Sequence, residues 1–296
     1  MTSKPNRVRI VCISDTHDKA PGEGYTLPAG DVLVHAGDLT NEGTYNELKR
    51  AAEWLEKADF AVKIVVAGVL HAFNQLENKV LADVVCHPSN NASETKDIER
   101  QRCRELTSSI PRATYLEHSS AVIHLPDKDV NFRIFGSPYS PLRPESGPFT
   151  AFQYRDAEAE ALWNATLTDT DVLITHTPPA GICDTSQHFP DGGCPTLKKA
   201  LGMVKPALHI CGHCHEGRGA QVVRWDDADE VEWVKEWEDP GAGSKKMSLL
   251  DLTGKKGGTW LERGRETAVV NAAMVSRDRE TGKRRIGKPI VVDVAL

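Results

Sequence analysis

Four short apolar runs in this chain each end on residues that bind metal ions. Arg7–Ile13 (RVRIVCI) leads through Ser14 into Asp15-Thr16-His17. Asp31–His35 (DVLVH) leads into Gly37-Asp38. Asp171–Thr175 (DVLIT) leads into His176, and Ala207–Cys211 (ALHIC) into Gly212-His213-Cys214-His215. Brief β-branched runs of this kind read as buried strands. Loops at the carboxyl ends of strands are where α/β sheets carry their chemistry. Carboxylate and imidazole donors suit Zn, Mn or Fe. On extended backbone, residues i and i+2 point to the same side, so Asp15/His17 and His213/His215 are each expected to aim a pair at one pocket. Six such donors match a two-metal site with a shared carboxylate and ions ~3.5–4 Å apart. A lone histidine is more often a core or surface residue; the recurrence at successive strand ends is the informative part.

The remaining pattern places these strands in an α/β domain. Apolar residues at Leu48, Ala51, Ala52, Leu55 and Ala58 make one helical face over Thr44–Ala58, and Ala61–Ala67 (AVKIVVA) is a further strand ending at Gly68. Polar residues 84–100 read as a loop with a short helix near Thr95–Leu106. Strands are expected near Thr114–Leu116, Ala121–Leu125, Phe132–Phe135, Val269–Ala273 and Pro289–Val294. Asp156–Asn164 and Pro195–Val204 read as helices, the second with proline in its first turn. Three prolines in residues 136–144 predict a loop. No repeat or domain-sized linker is visible, so residues 1–296 read as one domain with an acidic, Gly/Lys-rich insertion around 226–265.

Composition narrows the function classes. With 40% hydrophobic and 26% charged residues the chain has the make-up of a globular protein. No run approaches a membrane span, and the first residues lack a signal-peptide core. Seven cysteines form no even framework, which points to a reducing, cytoplasmic setting. The net charge of −6 speaks against a nucleic-acid surface. That charge is local: residues 226–239 hold eight acids and one base. The run is a solvated insertion or a segment that docks a protein partner through Trp225, Trp233 and Trp237.

The motif order Asp15-Thr16-His17, Gly37-Asp38, Gly68-Val69-Leu70-His71, His176 and Gly212-His213-Cys214-His215 resembles that of the calcineurin-like metallophosphoesterases. The surroundings "ISDTHD", "HAGDLTNEG", "FGSP", "LITHTPPAG" and "GHCHEGRG" are similar to the small eukaryotic metallophosphoesterase-domain-containing branch. The likeness covers roughly residues 7–225, with "VVNAA" and "KPIVVDV" also fitting. It implies a sandwich of two mixed β-sheets flanked by helices, with two divalent ions (Mn, Fe or Zn). Asp15, His17 and His215 would hold one ion, His176 and His213 the other, and Asp38 would bridge them. A hydroxide held between the ions would attack a small phosphomonoester or phosphodiester.

The third motif departs from the family. The metal-ligating asparagine is absent, and Val69 and Leu70 offer no donor. His71 is either the leaving-group histidine after a one-residue insertion, and so the catalytic candidate, or it occupies the acidic position. Arg218, close behind the Gly212–His215 motif, is the candidate for holding substrate phosphate, with Arg143 and Arg155 less favoured. Cys211-Gly-His-Cys214 has C-x-x-C spacing but reads as incidental to the histidine motif. Phosphoesterase activity is the expected function. The altered motif leaves two alternatives open: a family member in a binding or regulatory role, and a metal-dependent enzyme of different chemistry in a specialised biosynthetic pathway.

Overall fold

In the computed structural model, which describes residues 6–68, 101–103, 105–143, 152–163, 169–187, 192–254, 258, 260–277 and 284–296, the apolar runs form strands whose two faces enter different cores. In chain order the elements are β1 (Arg7–Ile13), β2 (Val32–Ala36), α1 (Tyr45–Lys57), β3 (Val62–Val66), β4 (Ala113–Leu116), β5 (Ser119–Leu125), β6 (Val130–Ser137), β7 (Ser140–Pro141) and β8 (Gln153–Tyr154). They continue with α2 (Asp156–Trp163), β9 (Val172–Thr175), α3 (Pro195–Val204), β10 (Leu208–Cys211), β11 (Gly219–Trp225), β12 (Val231–Glu236) and β13 (Ser248–Asp251). Strands β14 (Glu266–Asn271), β15 (Val275–Arg277), β16 (Arg284–Ile286) and β17 (Ile290–Ala295) complete the chain.

Two mixed sheets result. The first has the order β13-β17-β1-β2-β3-β4 and the second β12-β11-β14-β10-β9-β6-β5. In the first, β1 to β4 run parallel while β17 lies antiparallel to β1. In the second, β6, β9, β10 and β14 are parallel, β5 and β11 run against them, and β12 lies antiparallel to β11.

The two-residue side-chain period sorts each strand between layers. Val8, Ile10 and Cys12 of β1, Val32 and Val34 of β2 and Ile64 and Val66 of β3 face Ile134, Ile174, Leu208 and Ile210 across the inter-sheet core. The alternate residues Val11, Ile13, Leu33 and Val65 face outward, where Ala52 and Leu55 of α1 cover them. On the far side Phe135, Leu173, Val223 and Val269 pack against Ala159 and Trp163 of α2 and Leu197, Ala200 and Leu201 of α3. The architecture is an α/β sandwich of two mixed sheets flanked by helices. Strands buried on both faces read as near-continuous apolar runs, which is why these were visible in the sequence.

Helix α1 starts where a capping box forms: the Thr44 hydroxyl accepts from the Glu47 N–H while the Glu47 carboxylate accepts from the Thr44 N–H. Helix α3 opens with Pro195 and ends at Lys205, whose φ of 49° leaves the helical region.

The structure corrects two expectations. Gly136 and Ser137 continue β6, and Ser140–Pro141 pair with Gln153–Tyr154, so residues 136–144 are not simply a loop. Proline is compatible with such a short pairing because an edge position needs no N–H from it. Within residues 226–265, β12 extends the second sheet as an exposed edge strand and β13 pairs with β17 in the first. Trp225 is no surface anchor. It is buried and its indole N–H donates to Thr267 Oγ1 at 3.1 Å, whereas Trp233 on β12 is 38% exposed.

Ile134 is fully buried between the sheets. Ile134→Ala should cost about 3 kcal/mol of stability through lost burial and an unfilled cavity. Urea unfolding followed by circular dichroism would show a lowered midpoint with an unchanged slope.

Candidate metal centre

The carboxyl ends of β1, β2, β3, β9 and β10 converge where the two sheets abut. Backbone hydrogen bonds hold the loops together there. Asp15 N–H donates to Gly37 O at 2.9 Å, His17 N–H to Asp38 O at 3.1 Å, and Gly212 N–H to His176 O at 2.9 Å. A bridge between Ser14 and Ala273 ties the end of β1 to the segment after β14.

The ligand pairs are not aimed by extended backbone, as the i, i+2 argument had it. Asp15 (φ 53°), His17 (φ 44°), Asp38 (φ 50°) and His213 (φ 66°) are all left-handed. Each such residue costs on the order of 1 kcal/mol. Backbone strain of this kind gathers at functional sites, where surrounding bonds over-determine it. Curled loops turn the side chains inward more sharply than a strand can.

Two clusters form. Asp15, His17 and His215 bring one donor atom each within 4.8 Å of one another, and so do Asp15, Asp38 and His176. Asp15 belongs to both groups of donor atoms. In the first cluster His215 Nε2 lies 3.2 Å from Asp15 Oδ1 and 3.3 Å from His17 Nε2. In the second, His176 Nε2 lies 3.5 Å from Asp38 Oδ1. His213 lies beside this group, its ring edge-on to that of His176 with centroids 5.0 Å apart, and its N–H donates to both Asp15 oxygens.

The second cluster has the donor arrangement that a cation requires. His176 Nδ1 lies 3.0 Å from the Ala36 carbonyl oxygen, to which it donates. That bond fixes the tautomer and turns the Nε2 lone pair toward Asp38. His176 Nε2 and Asp38 Oδ1 are buried and have no hydrogen-bond partner among the described residues. Two facing lone pairs in a dry site need a proton or a metal ion between them. The donor set fits divalent Zn, Mn or Fe.

The charges agree. Burial alone would raise the Asp15 carboxyl, but the hydrogen bond from His215 and the charges of His215, His176 and His17 hold it well below the usual range. Burial would also raise Asp38, and His176 and His17 outweigh it. His176 would be lowered by burial, yet Asp38 and Asp15 lift it to about 9, and Asp15 likewise lifts His215.

Glycines of the motifs are set by close approach. A Cβ on Gly212 would overlap Ser14 Oγ and Asp15 Oδ2. One on Gly68 would overlap Asp38 Oδ1 and come within 2.8 Å of His176 Cε1.

Several supports had no signal strong enough to single them out. Thr16, between Asp15 and His17, is held by buried His35 (Oγ1 to Nε2, 2.9 Å). Thr175, just before His176, donates to Thr177 O and is held by buried His209 (Oγ1 to Nε2, 2.8 Å). Burial pushes both imidazoles down to about 3, so they support the strand ends as neutral rings. Buried Asn271, from the "VVNAA" segment, donates to Cys183 O and Cys214 O and so braces the loop between His213 and His215.

Arg218 donates to Lys288 O at 2.6 Å and faces Asp239 at 3.8 Å. His71, with Val69 and Leu70, lies outside the described residues. Cys211 and Cys214 are buried free thiols whose pKa values burial pushes up, which leaves little thiolate for redox chemistry.

Two outcomes follow from this geometry. Gly68→Ala should displace Asp38 and His176 and lower divalent-metal content to one ion or fewer per chain, read by elemental analysis of the purified variant. The second concerns pH. His176 rises from 6.5 to about 9, so its contribution to metal-free stability is full below pH 6.5 and lost as pH rises through 9. A metal must displace that proton, so affinity for manganese should climb about tenfold per pH unit between pH 7 and 9 and level off above. Calorimetric titration of metal-stripped protein at several pH values would show it.

Comparison with known proteins gives the same placement. Residues 8–217 match the family model described as Calcineurin-like phosphoesterase. The chain is 34% identical over 296 residues to "Probable rhamnogalacturonate lyase C" of Emericella nidulans, covering 98% of this chain and 24% of that protein. It is 32% identical to "Metallophosphoesterase domain-containing protein 1" of Homo sapiens, covering 74% and 64% of the two chains. It is 37% identical to "UPF0046 protein K07C11.7" of Caenorhabditis elegans, covering 72% and 65%. The chain thus spans less than two thirds of the length of each of these relatives. A buried His/Asp centre at the strand ends of a two-sheet sandwich and a match over most of the chain lead to one conclusion: the protein belongs to the calcineurin-like phosphoesterase family.

Proposed function

We propose that the protein is a metal-dependent phosphoric ester hydrolase that acts on a small phosphomonoester or phosphodiester and uses two divalent ions. The observation that carries this reading is the pair of carboxylate and imidazole clusters that share Asp15 at the strand ends.

Asp15, His17 and His215 would hold one ion. Asp38, His176 and His213 would hold the other, with Asp15 and Asp38 lying between the two positions. When bound, the ions supply Lewis-acid stabilisation of the phosphoryl oxygens and a more acidic water. The chain's own part is to keep the donors in their metal-binding forms. The Ala36 carbonyl holds the His176 tautomer, the His213 backbone N–H holds the Asp15 carboxylate, and neutral His35 and His209 hold the loop threonines. The burial of Asp15, Asp38 and His176 excludes bulk water from one side of the centre, which strengthens every charge interaction in it.

The Trp-bearing acidic edge strand β12 is retained in this reading as a candidate partner surface, with Trp233 as its exposed aromatic. The binding-only role and the different metal chemistry are separated from the hydrolase by one experiment. Purified protein should contain two divalent ions per chain by elemental analysis. It should turn over p-nitrophenyl phosphate or its bis ester with added manganese. Asp38→Ala should reduce that turnover at least ~100-fold while the protein stays folded. Bound metal without turnover of either ester would favour the alternatives, and undiminished turnover in Asp38→Ala would overturn the site assignment.

A further inference from the structure

The second sheet ends in a strand with an open side. β12 stands last in the strand order and pairs with β11 alone among the described residues. Trp237 N–H, just past the strand, donates to Ala220 O at 3.0 Å, and inward and outward residues alternate along an antiparallel ladder. Trp233 and Lys235 therefore turn their N–H and C=O toward β11, while Val234 and Glu236 turn theirs away from it. A row of free backbone groups of this kind is a template for another strand.

The side chains along this edge are exposed from Glu232 to Glu236. Trp233 and Val234 are 38% and 41% exposed and point to opposite faces, so an added strand would cover one apolar side chain on each face. The charge is mostly of one sign. Asp227 pairs with Arg265, Asp229 with Lys205 and Glu232 with Arg224. Glu230, Glu236 and Glu238 are exposed and have no basic partner among the described residues. Lys235 is the single base between Asp226 and Asp239.

That charge decides the occupant. Antiparallel pairing with a second copy would set Glu232 opposite Glu236 when Val234 meets its own counterpart. It would set Lys235 opposite its own counterpart when Val234 meets Glu236. Like charges directly opposite are destabilising, so the edge is guarded against self-pairing in the way that exposed edges commonly are. A nucleic acid or an anionic membrane surface meets the same repulsion. A segment with lysine or arginine opposite Glu230, Glu236 and Glu238 turns each repulsion into attraction.

We propose that the β12 edge binds a basic, extended segment of a partner protein by strand addition. Backbone hydrogen bonds to Val234 and Glu236 provide the pairing, Trp233 and Val234 the apolar contacts, and the unpaired acids the selectivity for positive charge. The assignment is independent of the chemistry at the metal centre.

The test titrates the 296-residue chain with the blocked peptide KTKTVVKTK. Its lysines fall opposite Glu238, Glu236, Glu232 and Glu230 when its valines face Val234 and Trp233. Amide resonances of residues 232–238 should move and saturate, and salt of about 0.5 M should weaken the binding severalfold. The same peptide with glutamate in place of lysine should bind at least ~10-fold more weakly. N-methylation of the two peptide residues opposite Val234 and Glu236 keeps the charge and removes the strand pairing, and should also weaken binding at least ~10-fold. Val234→Pro deletes the outward N–H and leaves the bonds to β11, a change that an edge strand tolerates. It should weaken the lysine peptide at least ~5-fold with the urea midpoint unchanged. Should that variant fold poorly, the N-methylated peptide on the unaltered chain gives the same readout. Undiminished binding of the N-methylated peptide would show attraction by charge alone and overturn strand addition. Undiminished binding of the glutamate peptide would overturn the basic partner, and no saturable binding of the lysine peptide would overturn both. A dimer of the chain by sedimentation that Val234→Pro dissolves would give the edge to a second copy and overturn the proposal as well.

Discussion

Two carboxylates, Asp15 and Asp38, are buried where the two sheets meet, and the rest of the centre follows from what that burial costs. An ion removed from water loses several kcal/mol of solvation unless partners replace it. Here the partners are imidazoles from the ends of strands in the opposite sheet, His176 and His215, which lie 3.5 and 3.2 Å from the carboxylate oxygens. Each sheet supplies half of a charge arrangement that neither could hold alone. The inter-sheet core therefore also sets the distance between donors, and a change in packing between β1 and β10 would be felt at the metal position.

The strained turns make sense in that light. Four residues at the centre adopt left-handed backbone, and each is held by bonds that run between loops rather than within one. Asp15 N–H reaches Gly37 O, His17 N–H reaches Asp38 O, and Gly212 N–H reaches His176 O. The strain is compensated by contacts elsewhere, so the donors are already in position before any ion arrives. A preformed site gives up little ordering entropy on binding, which favours affinity over adaptability.

Much of this was legible in the sequence, for a physical reason. Strands buried on both faces read as continuous apolar runs, so β1, β2, β3, β9 and β10 were visible, and the polar residues that end them stood out. What could not be read is anything set by contact across the fold. The left-handed turns at Asp15 and His17 carry no glycine to announce them. Strand β12 was missed because its charges, Glu232, Lys235 and Glu236, continue an acidic run, although Val231, Trp233 and Val234 suit a strand. His35 and His209 looked bland because a supporting role depends on reaching Thr16 and Thr175, neither of which is near in sequence. The same holds for Gly68, whose need for a bare Cα comes from Asp38 and His176.

The donors all come from strand ends and the loops after them, which the two-sheet core fixes. Helix α1 packs on the outer face of the first sheet and supplies no donor to either cluster. It is tied to the centre all the same: Arg50 donates to Asp18, directly after His17, and the Trp54 ring lies against that of His35, which holds Thr16. A change on α1 is therefore passed to the loop that carries Asp15 and His17. Gly68 is constrained by the same kind of proximity, since an added Cβ would collide with Asp38 and His176.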